Sequence, residues 1–389
     1  MDGAKFAKML SDKHLFELDR MEYKYSVSSV NEFTELLRQN FAQSLPLVDF
    51  SSDELFYLPN LARISTNGMK QLLSAPASNQ SFGLQAMTEE IHATFQIESI
   101  HSSRNSIRHI LNGYAPRNEE ESRIYGMKRG LDFIADRQNT ITEENLHQLY
   151  QISTGDYLPD EDRLLADHFY RHDVVYVVDG EESREGLPAQ QLPDAMKRLV
   201  DFANAKDGIN ELHKAAILHF AFAYYHPYFD GNGRTARLLH LWYLVQQGYP
   251  AALFTPFSRY IAESKAAYYK AYDRVEKNAL ISGYTDVTPF LSYFCNEVYN
   301  RLQVDAAPPQ ADLQVYQTAL AEGKITEKER LLWEYVLSAY GTEEFTTKQL
   351  EKDFRNAAYA TIRTFVMKFH EMELLVARKT GNRVFYKVK

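Results

Sequence analysis

The sequence predicts a mainly α protein that ends in a winged helix-turn-helix unit, and three observations carry that expectation. Apolar residues recur at spacings of three and four along most of the chain, the signature of amphipathic and buried helices. Only 17 Gly and 13 Pro interrupt 389 residues. The end of the chain carries helix-start signals followed by a hairpin signal. A hydrophobic content of 45% with a mean hydropathy of −0.42 supplies a packed core but no membrane bundle, and the length suits two or three domains. No run approaches the ~18 apolar residues of a spanning helix. The start, MDGAKFAKMLSDKH, lacks the apolar core of a signal peptide, so the cytoplasm is the expected compartment. The lone cysteine, Cys295 in FLSYFCNEV, excludes a disulfide framework and a Cys-rich zinc site and reads as core filler.

In chain order, residues 1–80 read as an N-terminal helical region, closed by a soft break in LLSAPASNQSFG (72–83). Residues 81–303 read as a helical core. The linker VDAAPPQADL (304–313) ends it, because two prolines and small residues break helical periodicity. Residues 314–389 form the last unit. There Thr326 with Glu329, and Thr346 with Gln349, fit capping boxes, and Asn356 is placed to cap a third helix running to about Glu373. LLVARKTGNRVFYKV then offers two β-rich runs around Thr380-Gly381-Asn382. Charge is uneven: the chain nets −9, yet residues 326–389 hold 12 Lys+Arg against 9 Asp+Glu. In a winged helix the third helix would read a groove through Tyr359, Arg363 and Lys368, with Arg378, Lys379, Arg383 and Lys387 on the wing. DNA and a protein are both open as the partner of this unit, and a homodimer is open as the assembly.

The segment with the most chemistry is HFAFAYYHPYFDGNGRTARLLHLWYLVQQG (219–248). Its flanks are apolar nearly all round, which predicts two buried helices. Pro227 stops the first, and a polar loop, His226 to Arg234, interrupts them. Gly231 and Gly233 let backbone N–H groups converge on an anion where the second helix begins. Arg234 and Arg237 lie three apart, on one face, as paired phosphate clamps. Asp230 is placed to hold a hard divalent cation beside phosphate oxygens. His226 is a candidate general base for an incoming hydroxyl. Together these describe nucleotidyl or phosphoryl transfer to an alcohol. A metal hydrolase is the weaker rival, and a structural zinc site is rejected: no H-E-x-x-H occurs, and His213, His219 and His226 stand six and seven apart.

HPYFDGNGR resembles the Fic signature, HPF-x-[DE]-G-N-G-R, with Tyr228 where Phe is usual. Its two glycines resemble the AMP-transferring branch. The resemblance implies a Fic-type helical bundle with a flap hairpin and a protein adenylyltransferase that uses ATP and Mg²⁺. The target would be a Ser, Thr or Tyr hydroxyl of a protein, which includes this protein itself. It implies that His226 is the base, that Asp230 holds Mg²⁺, and that Gly231, Asn232 and Gly233 form the anion hole. Arg234 and Arg237 would contact the β and γ phosphates, and the ATP-binding stretch runs on through Thr235 and Ala236. FYRHDVVYVVDG (169–180) resembles the flap, with Val175, Tyr176, Val177 and Val178 over the nucleotide and a free edge for pairing an extended target. The ring at Tyr228 is expected to pack and its hydroxyl to need a partner. Tyr268 and Tyr269 resemble the tyrosine pair beside the adenosine; the Asn often found eight residues after the first is Glu276 here, with Asn278 two further on.

AMTEEIHATFQIESIHSSRNSIRHIL (86–111) reads as an amphipathic helix with Ile91, Thr94, Phe95 and Glu98 on one face. A carboxylate on an apolar face needs a cation. Thr94 to Glu98 resembles the family's inhibitory pattern, [ST]-x-x-x-E-[GN], with Ser99 in the last place. The resemblance implies that Glu98 pairs with Arg237 and withholds the γ-phosphate clamp. Two other readings stand beside a self-inhibited transferase. One is a nucleotide-sensing transcriptional regulator that binds DNA through the winged helix. The other is a Fic enzyme that removes AMP or transfers another phosphate-containing group.

Overall fold

A computed structural model describes the chain except residues 67–68, 70–72, 74–79, 180–181, 306–315, 317, 341–343 and 382. Three helices open it, α1 (Gly3–Leu10), α2 (Leu18–Tyr25) and α3 (Val27–Phe41). A hairpin of β1 (Gln43–Val48) and β2 (Glu54–Tyr57) follows. The hairpin adds to the helical region expected over 1–80, and its two runs of six and four residues are too short to stand out from the helical periodicity around them. Residues 72 and 74–79 of the soft break lie outside the described residues.

One correction concerns the helix expected over 86–111. The structure has two helices, α4 (Gln80–Ile97) and α5 (Arg104–Leu111). Between them Ser99 takes a left-handed φ of 58°, and Ser103 caps α5 by accepting from the Ser106 amide at 3.0 Å. Neither Pro nor Gly marks that break; serine side chains competing for backbone donors make it. Glu98 therefore lies just past the end of α4, where a side chain can turn away from the helix axis.

The core is built on α6 (Glu119–Ala135), α7 (Glu143–Ser153), α8 (Leu192–Asn204), α9 (Glu211–Tyr225), α10 (Asn232–Gln246), α11 (Phe257–Glu263), α12 (Lys265–Ser282) and α13 (Thr288–Tyr293). The short hairpin β3 (Tyr176–Asp179) with β4 (Glu182–Glu185) sits before α8. α9 and α10 pack against each other at the centre, buried from Leu212 to Phe222 and from Thr235 to Val245. That explains why their sequences are apolar all round rather than on one stripe. α6 approaches closely through Gly130, where a Cβ would stand 2.9 Å from the Ser153 side chain and 3.1 Å from Leu238. The N-terminal elements dock on the turn between α12 and α13, where Phe56 exchanges backbone bonds with Thr285 and Val287. Asn278 accepts from the Leu18 amide and donates to the Phe16 carbonyl. Cys295 is fully buried in a π-helical turn, Phe294–Tyr299, and burial pushes its thiol up to about 12, so it is core as the sequence indicates.

After α14 (Asn300–Asp305), most of the linker, 306–313, lies outside the described residues. The last unit comprises α15 (Glu327–Ala339), α16 (Thr347–Phe354), α17 (Tyr359–Glu371) and the antiparallel strands β5 (Leu375–Thr380) and β6 (Arg383–Val388). Its core is separate, made of Leu332, Trp333, Val336, Phe345, Phe365 and Phe369 among others. The Thr326–Glu329 capping box is complete, and Thr346 caps α16 by accepting from Gln349. Asn356 does not cap the third helix: α17 begins at Tyr359 behind Ala358, without a side-chain cap. The unit is not an independent appendage. α15 packs along α4, the Arg108 guanidinium lies 5.1 Å from the Tyr340 ring centre, and Arg355 lies 4.3 Å from that of Tyr114.

Candidate active site

The loop between α9 and α10 folds as its residue types require. α9 ends at Tyr225, and His226, its C-cap, takes the left-handed conformation (φ 55°, ψ 60°). Pro227 has no N–H to continue the helix. Gly231 is the N-cap of α10 at φ 79°, and a Cβ there would overlap Thr154. Asn232 closes the loop by accepting from the Tyr228 amide at 2.9 Å and donating to the Tyr228 carbonyl at 2.8 Å. Its side chain thus holds the loop's shape and leaves anion contact to the backbone N–H groups that open α10.

Around that helix start the charged groups converge. Glu98 reaches both arginines: one carboxylate oxygen accepts from Arg234 Nε at 2.6 Å, and the other accepts from Arg237 Nη2. The sequence resemblance implies Arg237 alone, so the two-armed grip is an addition. Arg234 also donates to Asp230 at 3.0 Å. Burial works against the charge on Arg234, but Glu98 and Asp230 outweigh it and push its pKa up. Arg237 is held further by the Thr94 hydroxyl and carbonyl. A Cβ on Gly233 would lie 2.8 Å from a Glu98 carboxylate oxygen. A carboxylate, the smallest anion the chain can supply, therefore occupies the cradle at the α10 N-terminus.

His226 stands on the other side of the loop. Its Nδ1 lies 3.3 Å from the Ala223 carbonyl, which can only accept, so Nδ1 is the donor in that bond. Asp230 is half exposed, with one oxygen taking the Gly231 amide at 2.6 Å and the other Arg234. Among the described residues no cluster of three metal-ligating side chains exists. A single exposed carboxylate beside an anion cradle fits Mg²⁺, which keeps water and takes its remaining oxygens from phosphate.

The other expected residues are placed as follows. Thr235 bonds back to the Gly231 carbonyl at 3.0 Å and Ala236 packs into the core, so both side chains support α10 and face away from the cradle. The flap is the β3–β4 pair, in register from Tyr176↔Glu185 to Asp179↔Glu182. It runs past the expected 169–180, with Val175 just before its first strand. Tyr176 is exposed, Val177 is partly so, and Gly180 and the Val178 side chain lie outside the described residues. In this two-stranded sheet the outer edge of β3 pairs with no strand among the described residues. Tyr268 is buried, with its hydroxyl 2.8 Å from His219 Nε2 and 3.3 Å from the Tyr272 hydroxyl, so it faces the core; Tyr269 lies beside the end of α4, its hydroxyl 3.5 Å from the Ile97 carbonyl. Tyr228 is fully buried and stacks on Tyr150 with ring centres 3.6 Å apart. Its hydroxyl finds no partner among the described residues, against expectation, and burial raises its pKa well above 10.

In the last unit the basic side chains divide. Lys368 donates to both oxygens of Glu329 and Arg378 pairs with Glu344, so both are engaged within the unit. Tyr359, Arg363, Lys379 and Arg383 are exposed.

One residue of the site gave no sequence signal. Arg171, in FYRHD, is buried and its guanidinium donates to the carbonyls of His226 at 2.8 Å, Asp173 at 2.6 Å and Leu187. Nothing in a lone arginine among aromatics tells that three carbonyls await it.

Residues 140–244 match the Fic/DOC family, so this part of the chain carries a Fic domain. It is 28% identical over 182 residues to Protein adenylyltransferase fic-1 of Caenorhabditis briggsae, a stretch that is 45% of this chain and 31% of that protein. It is 30% identical over 113 residues, 28% of this chain and 35% of the other, to the Probable protein adenylyltransferase aq_aa38 of Aquifex aeolicus. The chain thus spans about a third or less of the length of the curated relatives it matches. The crystal structure of a Fic family protein from Desulfovibrio desulfuricans G20 superposes with a TM-score of 0.52 at 18% identity, over 85% of this chain and 95% of that one. Its likeness shows the fold, a helical Fic-type architecture.

Proposed function

We propose that the chain is a self-inhibited protein adenylyltransferase, transferring AMP from ATP to a Ser, Thr or Tyr hydroxyl of a target protein, itself included. The observation that carries the reading is the Glu98 carboxylate held by Arg234 and Arg237 over Gly233. An anion cradle filled by the chain's own anion is the resting state of a site built for an anionic ligand. When Glu98 swings out, both guanidinium groups become clamps for the β and γ phosphates. The backbone N–H groups at the start of α10 then receive phosphate oxygens. A target segment pairs along the outer edge of β3 and brings its hydroxyl to His226. Nε2 takes the hydroxyl proton as the oxygen attacks the α-phosphorus; the bond from that phosphorus to the bridging oxygen breaks, and pyrophosphate leaves. Mg²⁺ at Asp230 would neutralise phosphate charge.

The exposed Arg363, Lys379 and Arg383 favour a second role for the last unit as a winged helix that contacts DNA. The two roles are compatible, since they use different surfaces.

Intact-mass measurement of the Glu98→Gly variant with Mg²⁺ and each nucleoside triphosphate tests the first reading. A gain of one AMP residue with ATP, absent when His226→Ala is added, is the expected result. No gain with any triphosphate, alone or with cell extract as the source of target, overturns it. A gain of a different group identifies another donor, and loss of AMP from premodified protein identifies the reverse activity.

A further inference from the structure

The flap and the base are joined by a set of bonds that the transferase reading does not require in advance. Three consecutive carbonyls, those of Tyr225, His226 and Pro227, each take a donor from the roots of the flap. The Leu187 amide donates to Tyr225 at 3.3 Å, Arg171 Nε to His226 at 2.8 Å, and the Arg171 amide to Pro227 at 2.9 Å. The other two arms of the same guanidinium hold the carbonyls of Asp173, before β3, and Leu187, after β4. Gly186 completes the joint. It donates to the Val175 carbonyl at 2.9 Å, and a Cβ there would stand 2.8 Å from Arg171 Nη2, 2.9 Å from Val175 and 3.3 Å from the His226 side chain.

Burial pulls the pKa of Arg171 down, and the nearby Asp173 charge works against that pull. The C-cap of α9, where the helix dipole presents its negative end, adds to the support for the cation. The fork geometry of arginine also matters, because its rigid donors reach three separated carbonyls that one ammonium cannot. His226 meanwhile holds a left-handed backbone, which costs a non-glycine residue on the order of 1–3 kcal/mol and persists only where neighbours over-determine it.

We propose that Arg171 is a positioning residue that locks the left-handed backbone of His226 to both roots of the flap, so that base and target-aligning strand move as one body. It rests on the transferase reading for what the base and strand do, but not for the lock itself. Setting Arg171 free lets the His226 ring leave the Ala223 carbonyl, and the Nδ1–H tautomer loses its support.

The test is carried out on the full chain, labelled with ¹⁵N in histidine. Long-range ¹H–¹⁵N spectra report each imidazole's tautomer, and His226→Gln assigns the signal. In the wild type His226 is expected as the Nδ1–H form. In Arg171→Lys, which keeps the charge but not the fork, and in Gly186→Ala, which pushes the fork aside, its nitrogens are expected to shift toward the other tautomer. The buried His219 and His240, bonded to Tyr268 and Tyr299, are expected to stay where they are. An unchanged His226 signal in both variants overturns the proposal. So does a common shift of all three histidines, which would mark a general loosening. In a Glu98→Gly background, Arg171→Lys is expected to lower kcat for AMP transfer by about tenfold to a hundredfold with the KM for ATP nearly unchanged. If no AMP transfer exists, the spectra still decide the lock; if transfer exists and kcat is unchanged, the lock has no catalytic role.

Discussion

Replacing Glu98 by glycine should both weaken the protein and free its site, and the two effects can be weighed from the structure. Arg234 and Arg237 are 3% and 4% exposed, and Glu98 is the carboxylate they share. Removing one partner of a buried ion pair costs about 3–5 kcal/mol, because the remaining charge is left without compensation. Here the lower end applies: Arg234 keeps Asp230, and Arg237 keeps the hydroxyl and carbonyl of Thr94. Glu98 also lies beyond the last residue of α4, so glycine there adds little helix-propensity penalty. A loss of about 3 kcal/mol in the absence of nucleotide is expected. In the wild type ATP must displace that same interaction, which weakens productive binding by roughly two powers of ten, at 1.4 kcal/mol each. Thermal unfolding with and without MgATP, run beside transfer from α-labelled ATP, reads both. The variant should melt lower alone, recover on adding MgATP far more than the wild type does, and label about a hundredfold faster. A variant as stable as the wild type, or equal stabilisation of both by ATP, would refute the argument that Glu98 occupies the phosphate cradle.

Tyr228→Phe deletes a buried hydroxyl with no partner among the described residues and keeps the ring stacked on Tyr150; a stability gain of about 1–2 kcal/mol in denaturant titration is expected, and a loss would reveal a bond to the hydroxyl. Asp286 is partly buried beside Thr288 and desolvation raises its pKa to about 6, so its favourable contribution is complete below the unfolded value near 4 and lost as pH rises through 6. Asp286→Asn keeps the acceptor without the charge and should remove up to about 3 kcal/mol of that decline, seen as a flatter melting temperature between pH 4 and 6. Arg108→Ala, which removes the cation over Tyr340 where the last unit meets α5, should raise basal AMP transfer by no more than about fivefold, since such a contact is worth ~1 kcal/mol. For DNA, Arg363→Ala and Lys379→Ala should weaken duplex binding and reduce its salt dependence. Lys368→Ala should instead lower stability by releasing Glu329, and equal effects on binding would remove the distinction drawn from that pair.

What could be read from the sequence, and what could not, follows from how local each determinant is. The loop between α9 and α10 was legible because its requirements are carried by its own residues: Pro227 ends a helix, Gly231 needs a positive φ, and two arginines three apart share a face. The C-terminal hairpin and the Thr326 cap were legible for the same reason. The Asn356 cap failed because Asn356 and Ala358 compete within three residues to start α17, and the backbone chose Ala358. The break after α4 was missed because the apolar spacing runs on through Ile97, Ile100 and Ile107 with no Pro or Gly between them, and it hides the cap signal at Ser103. Two features were beyond sequence reach because their partners are distant and chemically anonymous. Glu98 meets Arg234 as well as Arg237 only because the chain turns at Ser99 and lays the carboxylate between the two guanidinium groups. Arg171 bonds to main-chain carbonyls, which every residue possesses and no sequence pattern distinguishes. The same contrast explains the basic end of the chain. Its excess charge is visible by counting, but pairing spends part of it on Glu329 and Glu344 within the fold, so the surface left for a partner is narrower than the composition implies. In the acidic body the balance is reversed: two arginines and one glutamate form the decisive electrostatic feature of the molecule while barely moving its net charge.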